Sequence, residues 1–478
     1  MKKVLVWVVA AALCLGAFSA CSTGDGQQTG TSGEPGASRV EDAGGVELRV
    51  VSSFSSTDGN RGVFEQTYQD WEAETGNVVA DESQTSDENW KAKVVADFET
   101  GSDPDVLFFF NGTDSNSFVQ AGRVVPISEI REEYPDYGAN MNFASIPASP
   151  VDNVQYALPS TGFWEGLYVN KKVLQQAGVE MPGPETTWDT FLETCQAIKD
   201  AGYIPIACSL QQVPHYWFEY TIMNNGGPED HLAVPQAVDD EAFGTWVAGE
   251  NDIRELYERG FFPEDTLTAS DDATSQYIYN DEAAFLLDGS WKMGQFLENV
   301  GEERLEDFTV TYVPAKENRS PTDIVGGLSM GWYITQKAWD DPEKRQAAVS
   351  FVQAMTTDEV VNAMAAGIAV TALTDQTEEV SVELNALQES AFEMIGGTTS
   401  VTPAVQDYIT PEAKGQILET DTKLVASGEL TPEQAVVNMM QINGGVAIEY
   451  EASSVSGEEA PSAGSEVETS EEPVSSGG

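Results

Sequence analysis

Residues 156–171 read Tyr-Ala-Leu-Pro-Ser-Thr-Gly-Phe-Trp-Glu-Gly-Leu-Tyr-Val-Asn-Lys. Two short apolar runs with strand character, Tyr156–Leu158 and Leu167–Val169, flank Pro159, Ser160 and Gly162, which bend or re-aim a chain. Phe163, Trp164 and Glu165 stand inside that bend. Burying an aromatic ring stabilises a fold by roughly a few kcal/mol, so two rings on a bend need something to cover. The stretch reads as a crossing from one lobe to another, with the rings facing the cleft between them.

Upstream, strand and helix alternate. Val46–Val51 branches and alternates like a strand, Phe64, Tyr68 and Trp71 recur at helical spacing up to Gly76, and Val78–Ala80 is a second strand. Trp90, Val94 and Phe98 share a helix face that stops at Gly101. Asp103-Pro104 then turns the chain into Val106–Phe110, an unbroken apolar run of the kind found in buried parallel strands. This β-α-β-α-β order predicts an open α/β sheet, whose ligands bind outside the carboxyl ends of its strands. Three polar loops occupy those ends: Ser52–Asn60, Glu82–Asp87 and Asn111–Ser117.

Downstream, Lys171–Ala177 reads as a helix ended by Gly178. Thr187 caps another that carries Phe191, Leu192, Cys195 and Ile198 on one face. Ile204–Cys208 opens a second α/β lobe, and Val213–Tyr220 reads as a loop crowded with His215, Tyr216, Trp217, Phe218 and Tyr220. The apolar strand Ala283–Leu287 ends in Asp288-Gly289-Ser290-Trp291, a glycine turn that displays a tryptophan, and Phe308–Val313 is a further strand. Val325–Trp332 reads as one strand interrupted by Gly326 and Gly327, which mark a close backbone approach or a hinge. Helices are expected over Pro342–Met355, Gln416–Ala426 and Pro432–Gln441, with a small-residue stretch at Ala366–Thr371.

The ends fix the compartment. Lys2 and Lys3 precede an apolar run, Val4–Leu15, too short for a membrane span and suited to a secretory signal. Phe18-Ser19-Ala20 before Cys21 resembles the lipobox of bacterial lipoproteins, which implies acylation of Cys21. Ser22–Gly45 has the composition of a flexible tether, and Glu451–Gly478, with seven Glu and no basic residue, that of a solvated acidic tail. The roughly 400 residues between are too many for one core. The expected division is a leader over 1–20, a tether over 21–45, one lobe from 46–158 with 329–368, a second from 159–328 with 369–447, and a disordered tail over 448–478.

The chain has 23 basic and 79 acidic side chains and a formal charge of −56. That field repels phosphate backbones and excludes nucleic acid as a partner. Once the leader and Cys21 are set aside, Cys195 and Cys208 remain, as a disulfide or as two buried thiols. No zinc-type spacing exists, and neither a metal nor a cofactor is expected.

The acylated Cys21, the Ser102-Asp103-Pro104-Asp105-Val106 turn, Leu167-Tyr168-Val169-Asn170-Lys171, Thr187-Trp188-Asp189, the Ala284–Trp291 segment and Gly326-Gly327 occur in that order. Together they resemble the extracellular solute-binding proteins of carbohydrate ABC importers, relatives of the maltose-binding protein, over roughly Val46 to Gln441. The resemblance implies an α/β fold of type II. In it two lobes, each an open and mostly parallel sheet flanked by helices, close on a sugar in the cleft between them. Crossings would fall near Leu158–Gly162, Ile324–Ser329 and Gly367–Thr371. It also implies permease subunits of an ABC transporter as partners, a monomer, and anchoring to the outer face of the cell membrane through the lipid on Cys21. Carried over by position, Trp291 is the stacking tryptophan and Phe163 touches ligand past the first crossing. Tyr216 matches a family aromatic, with His215 and Trp217 as alternative registers, and Phe109 and Asn111 end the strand after Asp-Pro-Asp. Where the family often has a late tryptophan, this chain offers Tyr408.

A sugar presents an apolar C–H face that wants an aromatic plate and hydroxyls that want fixed acceptors, best supplied by carboxylates. Asp58, Asn111, Glu165 and Asp288 stand on loops near the aromatics, with Trp164, Trp217, Gly326 and Gly327 as further candidates. Trp71, Trp90 and Trp246 read as core, and Trp188 as a packing residue at a helix start. A secreted glycoside hydrolase would need a carboxylate pair, yet the chain has no eightfold β-α repeat, nucleophile elbow or His-Glu-x-x-His helix, and only two histidines. An enzyme is therefore not expected. A receptor for peptides or polyamines is the main alternative.

Overall fold

The structure is a computed structural model that describes residues 45–56, 58–86, 88–365, 373 and 384–445. The leader, Cys21, the tether up to residue 44, the crossing read at Gly367–Thr371 and the acidic tail lie outside the described residues. The strands in chain order are β1 (Glu47–Val51), β2 (Val78–Asp81), β3 (Val106–Phe110), β4 (Phe163–Asn170), β5 (Ile204–Ile206), β6 (Ala283–Gly289), β7 (Phe308–Thr311), β8 (Asp323–Gly327), β9 (Met330–Ile334) and β10 (Ser400–Thr402). They form two sheets, ordered β2-β1-β3-β9 and β10-β8-β4-β6-β5, with β7 also paired to β4.

Within each sheet one strand opposes the rest. β1 runs parallel to β2 and β3, whereas β9 is antiparallel to β3. In the second sheet β4 is antiparallel to β6, β7 and β8, while β5 and β10 run parallel to their neighbours. The reason is topological. β4 and β9 each arrive from the other lobe and so start at the cleft edge, where their neighbours end. Phe163 pairs with Gly327 and Glu165 with Gly289, while Met330 pairs with Phe110.

The two crossings lie alongside one another. Leu158 exchanges backbone hydrogen bonds with Trp332 in the first lobe, at 3.0 and 2.9 Å, and Phe163 and Trp164 pair with Gly327 and Gly326 in the second. A Cβ on Gly326 would sit 2.6 Å from the Phe163 carbonyl oxygen, so this contact tolerates no side chain. Gly327 has φ 141°, a conformation that L side chains rarely adopt. The segment read as one interrupted strand is thus two strands in different sheets, and Gly326 and Gly327 shape the backbone between them.

Late segments return to both lobes. Helix Pro342–Met355, capped by the Asp341 carboxylate, packs on helix Arg61–Thr75, with Trp71 Nε1 donating to Ser350 Oγ at 3.1 Å. Leu373 bridges to Met141 and belongs to the first lobe's core, so the chain is still with that lobe beyond residue 369, where the sequence reading placed the exchange. Helix Ala386–Gly396 lies on β7 through Ser390 Oγ, which accepts from the Val310 N–H at 3.0 Å. Trp71, Trp90, Trp188 and Trp246 are all buried, and Cys195 and Cys208 are buried free thiols.

Val213–Tyr220 is corrected from loop to helix. His215–His231 is helical, kinked at Gly227, with Pro214 at its start. Its aromatics point to every side because the run Tyr216–Asn224 is buried throughout, so it lacks the one-sided stripe of a surface helix.

Candidate functional site

The turn after β6 builds the centre of the cleft. A Cβ on Gly289 would lie 2.2 Å from the Trp291 ring, so the indole folds down over this residue because it is glycine. Phe163, at the start of β4, places its ring centroid 6.0 Å from that of Trp291, at an interplanar angle of 35°. Tyr216, in the first turn of helix His215–His231, lies 6.1 Å away at 38°, and His215 packs on Tyr216 at 4.1 Å. Four candidate residues from three elements therefore form one aromatic group. Phe163, His215 and Trp291 remain half-buried. Burial and then the nearby Lys414 and Lys91 hold the His215 imidazole well below its ordinary value, so it is neutral here.

The first lobe meets this group across the cleft. A Cβ on Gly59 would lie 3.9 Å from the Gly294 nitrogen, one turn beyond Trp291. On the far side a Cβ on Gly112 would lie 3.1 Å from the Asp407 carbonyl oxygen. Thr113 Oγ1 donates to the Ile409 carbonyl at 2.6 Å. Beyond the crossings, the lobes therefore approach each other at Gly59 and at Gly112–Thr113. Asp58 accepts from the Asn60 N–H at 2.8 Å, and desolvation raises its carboxyl to about 6. Asn111 is turned to the crossing, its backbone N–H donating to Ser329 O at 2.8 Å and its Nδ2 to Leu328 O at 3.2 Å. It ties the end of β3 to the hinge.

Charged groups that the sequence reading missed surround the aromatics. Lys91 Nζ stands 4.2 Å from the Phe110 ring centroid and 3.3 Å from Asp114 Oδ2, which also has Lys414 Nζ at 3.8 Å. Asp407 is pushed up to about 6, by burial above all. It rides on the turn Val405–Tyr408, which Glu219 positions from below. The Glu219 carboxylate is fully buried, accepts from the backbone N–H groups of Val405 and Gln406 at 2.9 and 3.0 Å, and pairs with His231. Tyr408 on the same turn is 53% exposed. Lys91 gave no signal because its helix shows only the Trp90, Val94 and Phe98 stripe. Asp407 and Lys414 lie far along the chain from the aromatics they join.

Three candidates are buried elsewhere. Trp164 is wholly buried against Tyr168, Trp217 between Phe191 and Trp188, and Phe109 against Trp90 and Phe118. Neighbours on a strand face opposite sides, so with Phe163 in the cleft Trp164 enters the core. By the same rule Phe110, not Phe109, meets Lys91. On a helix the adjacent Tyr216 and Trp217 likewise diverge. Asp288 is engaged with Lys292, Oδ2 to Nζ 3.1 Å, and shares that lysine with Asp271. Among the described residues no group of three or more His, Cys, Asp or Glu could hold a metal ion, and no helix is long and apolar enough to cross a membrane.

Two α/β lobes joined by paired crossings, closing on an aromatic cleft, are the architecture of an extracytoplasmic solute receptor. Residues 57–362 match the bacterial extracellular solute-binding proteins, and the chain belongs to that family. A curated relative, the sn-glycerol-3-phosphate-binding periplasmic protein UgpB of Rhizobium meliloti, is 22% identical over 273 residues. That match spans 54% of this chain and 59% of the relative, less than two thirds of its length. Among solved structures, a chitin oligosaccharide binding protein superposes with TM-score 0.73 at 21% identity, covering 84% of this chain and 99% of that one. The solute receptor AcbH, described by its exclusive preference for β-D-galactopyranose, gives 0.69 at 16%, with 84% and 99% covered. At these identities the likeness is one of fold.

Proposed function

We propose that this protein captures a mono- or oligosaccharide by closing its lobes around it, and hands it unaltered to the permease subunits of an ABC transporter. The single observation that carries the reading is the Trp291 indole, laid over Gly289 and flanked by Phe163 and Tyr216 in the cleft. A flat, partly open aromatic plate covers the C–H face of a pyranose and has no comparable use for a small ion. Carboxylates around it, Asp58 and Asp407, suit hydroxyl donors. The solved neighbours named above bind saccharides according to their own descriptions, which supports the same class. The protein works as a monomer, tethered to the outer face of the membrane by the lipid on Cys21, without catalysis.

UgpB favours a second reading, a glycerol phosphate. Such an anion needs cations with charge to spare, yet Lys91 and Lys414 already face Asp114, and acids surround them. The charge distribution therefore prefers a neutral or cationic guest. Calorimetric titration of the mature chain against neutral sugars, amino sugars and sn-glycerol-3-phosphate tests this. Micromolar binding of a saccharide is expected. Silence for every saccharide beside a hit for the phosphate would replace the reading.

A further inference from the structure

Glu165 stands on β4 two residues beyond Phe163, hence on the same face of the strand as that cleft ring. It is 2% exposed, and its Oε2 has no hydrogen-bond partner. Nothing basic answers it: among the described residues no Lys, Arg or His forms a hydrogen bond or ion pair with Glu165. The charged groups that face it are acids from three elements, Glu219 on helix His215–His231, Asp288 on β6 and Asp407 on the turn after β10, beside the hydroxyls of Tyr216 and Tyr220.

The local cations are already engaged. Lys91 and Lys414 face Asp114, and Lys292 lies between Asp271 and Asp288. Glu219 is satisfied by two backbone N–H groups and His231. Glu165 alone is left with neither donor nor counter-charge, at a depth where an isolated carboxylate is costly. A sugar hydroxyl offers it a hydrogen bond but nothing that would let it ionise at this depth. An ammonium group gives both the hydrogen bond and the counter-charge.

We infer that the saccharide this cleft takes carries a protonated nitrogen, an amino sugar or an oligosaccharide containing one, whose ammonium is received by Glu165 beneath the Trp291 plate. The inference rests on the saccharide reading above. Burial and the neighbouring acids hold the Glu165 carboxyl well above its usual range in the free protein. Capture of an ammonium ion therefore drives its proton out to solvent, and capture of a neutral sugar does not.

The test uses the mature chain at about pH 6, where a sugar amine is protonated and a surface carboxylate ionised. It is titrated with glucosamine oligosaccharides, their N-acetylated forms and a panel of neutral mono- and oligosaccharides, in two buffers of different ionisation enthalpy. The expected result is at least about tenfold tighter binding of an amine-bearing sugar than of its N-acetylated twin. Buffer-dependent heat should report proton release for the amine alone. Glu165→Gln should erase both differences. Equal or tighter binding of neutral sugars by the unmodified protein overturns the inference and leaves the saccharide reading standing. Silence for every saccharide overturns both. Because the first comparison needs no variant, a folding defect in Glu165→Gln leaves the decision intact.

Discussion

At the scale of single residues the site turns on one contact, an indole resting on a residue without a side chain. Trp291→Ala is expected to weaken saccharide binding by about tenfold or more, about 1.4 kcal/mol, in a calorimetric titration. Gly289→Ala should do nearly as much damage with Trp291 still present, because the new methyl would fall 2.2 Å from the ring and push it off its seat. Retained affinity in Gly289→Ala would mean that the ring's placement is irrelevant. The turn Asp288–Trp291 was legible in the sequence because a glycine directly after an apolar strand marks where that strand ends. Which member of each aromatic pair would face the cleft was less legible. Phe163 and Trp164, or Phe109 and Phe110, differ only in the phase of the pleat, and that phase is set by pairings with distant strands. Apolar content does not reveal it.

At the scale of elements the hinge and the Val405–Tyr408 turn do the positioning. Gly326→Ala would force a methyl against the Phe163 carbonyl and part β4 from β8. An overpacking cost of about 1–3 kcal/mol is expected, read as a lower midpoint in urea. A second prediction concerns Glu219, which fixes the turn carrying Asp407. Glu219→Gln keeps one acceptor but sets an amide NH2 against the other backbone N–H, so the turn should loosen. Affinity should fall while the intrinsic tryptophan fluorescence of the free protein stays unchanged; an altered emission would instead mean that the whole lobe had shifted. The α/β grammar of the first lobe could be read directly from Val46 to Phe110, because each helix there has a one-sided stripe and each strand a short apolar run. Helix His215–His231 could not, since a helix buried on all sides has no stripe to read. The split of Val325–Trp332 between two sheets was equally hidden, because a crossing strand and an interrupted strand share one local pattern.

At the scale of the molecule two global properties follow from buried acids and from the contacts that join the lobes. Burial raises Asp58 and Asp407 to about 6 and Glu250 to about 8. Each binds more protons folded than unfolded, so its contribution to stability is complete below about pH 4 and lost as pH rises through those values. The unliganded mature chain should therefore melt at a progressively lower temperature from about pH 5 to about pH 8. Glu250→Gln, which keeps an acceptor for Thr422 Oγ1, should flatten the upper part of that slope; an unchanged slope would place the titrating groups elsewhere. Closure is the second property, and Thr113 tests it. Its hydroxyl donates to the Ile409 carbonyl of the second lobe at 2.6 Å, and this bond is expected to form only when the lobes are shut. Thr113→Val preserves the volume but strands that carbonyl, at a cost of about 1–3 kcal/mol paid in the closed form alone. In the open form water solvates the carbonyl in both proteins, so the encounter with ligand is unaffected. The variant should then release saccharide about tenfold faster or more with an unaltered association rate. Stopped-flow tryptophan fluorescence separates the two rates. A slower association with unchanged release would mean that Thr113 guides the ligand in rather than holding the lobes together.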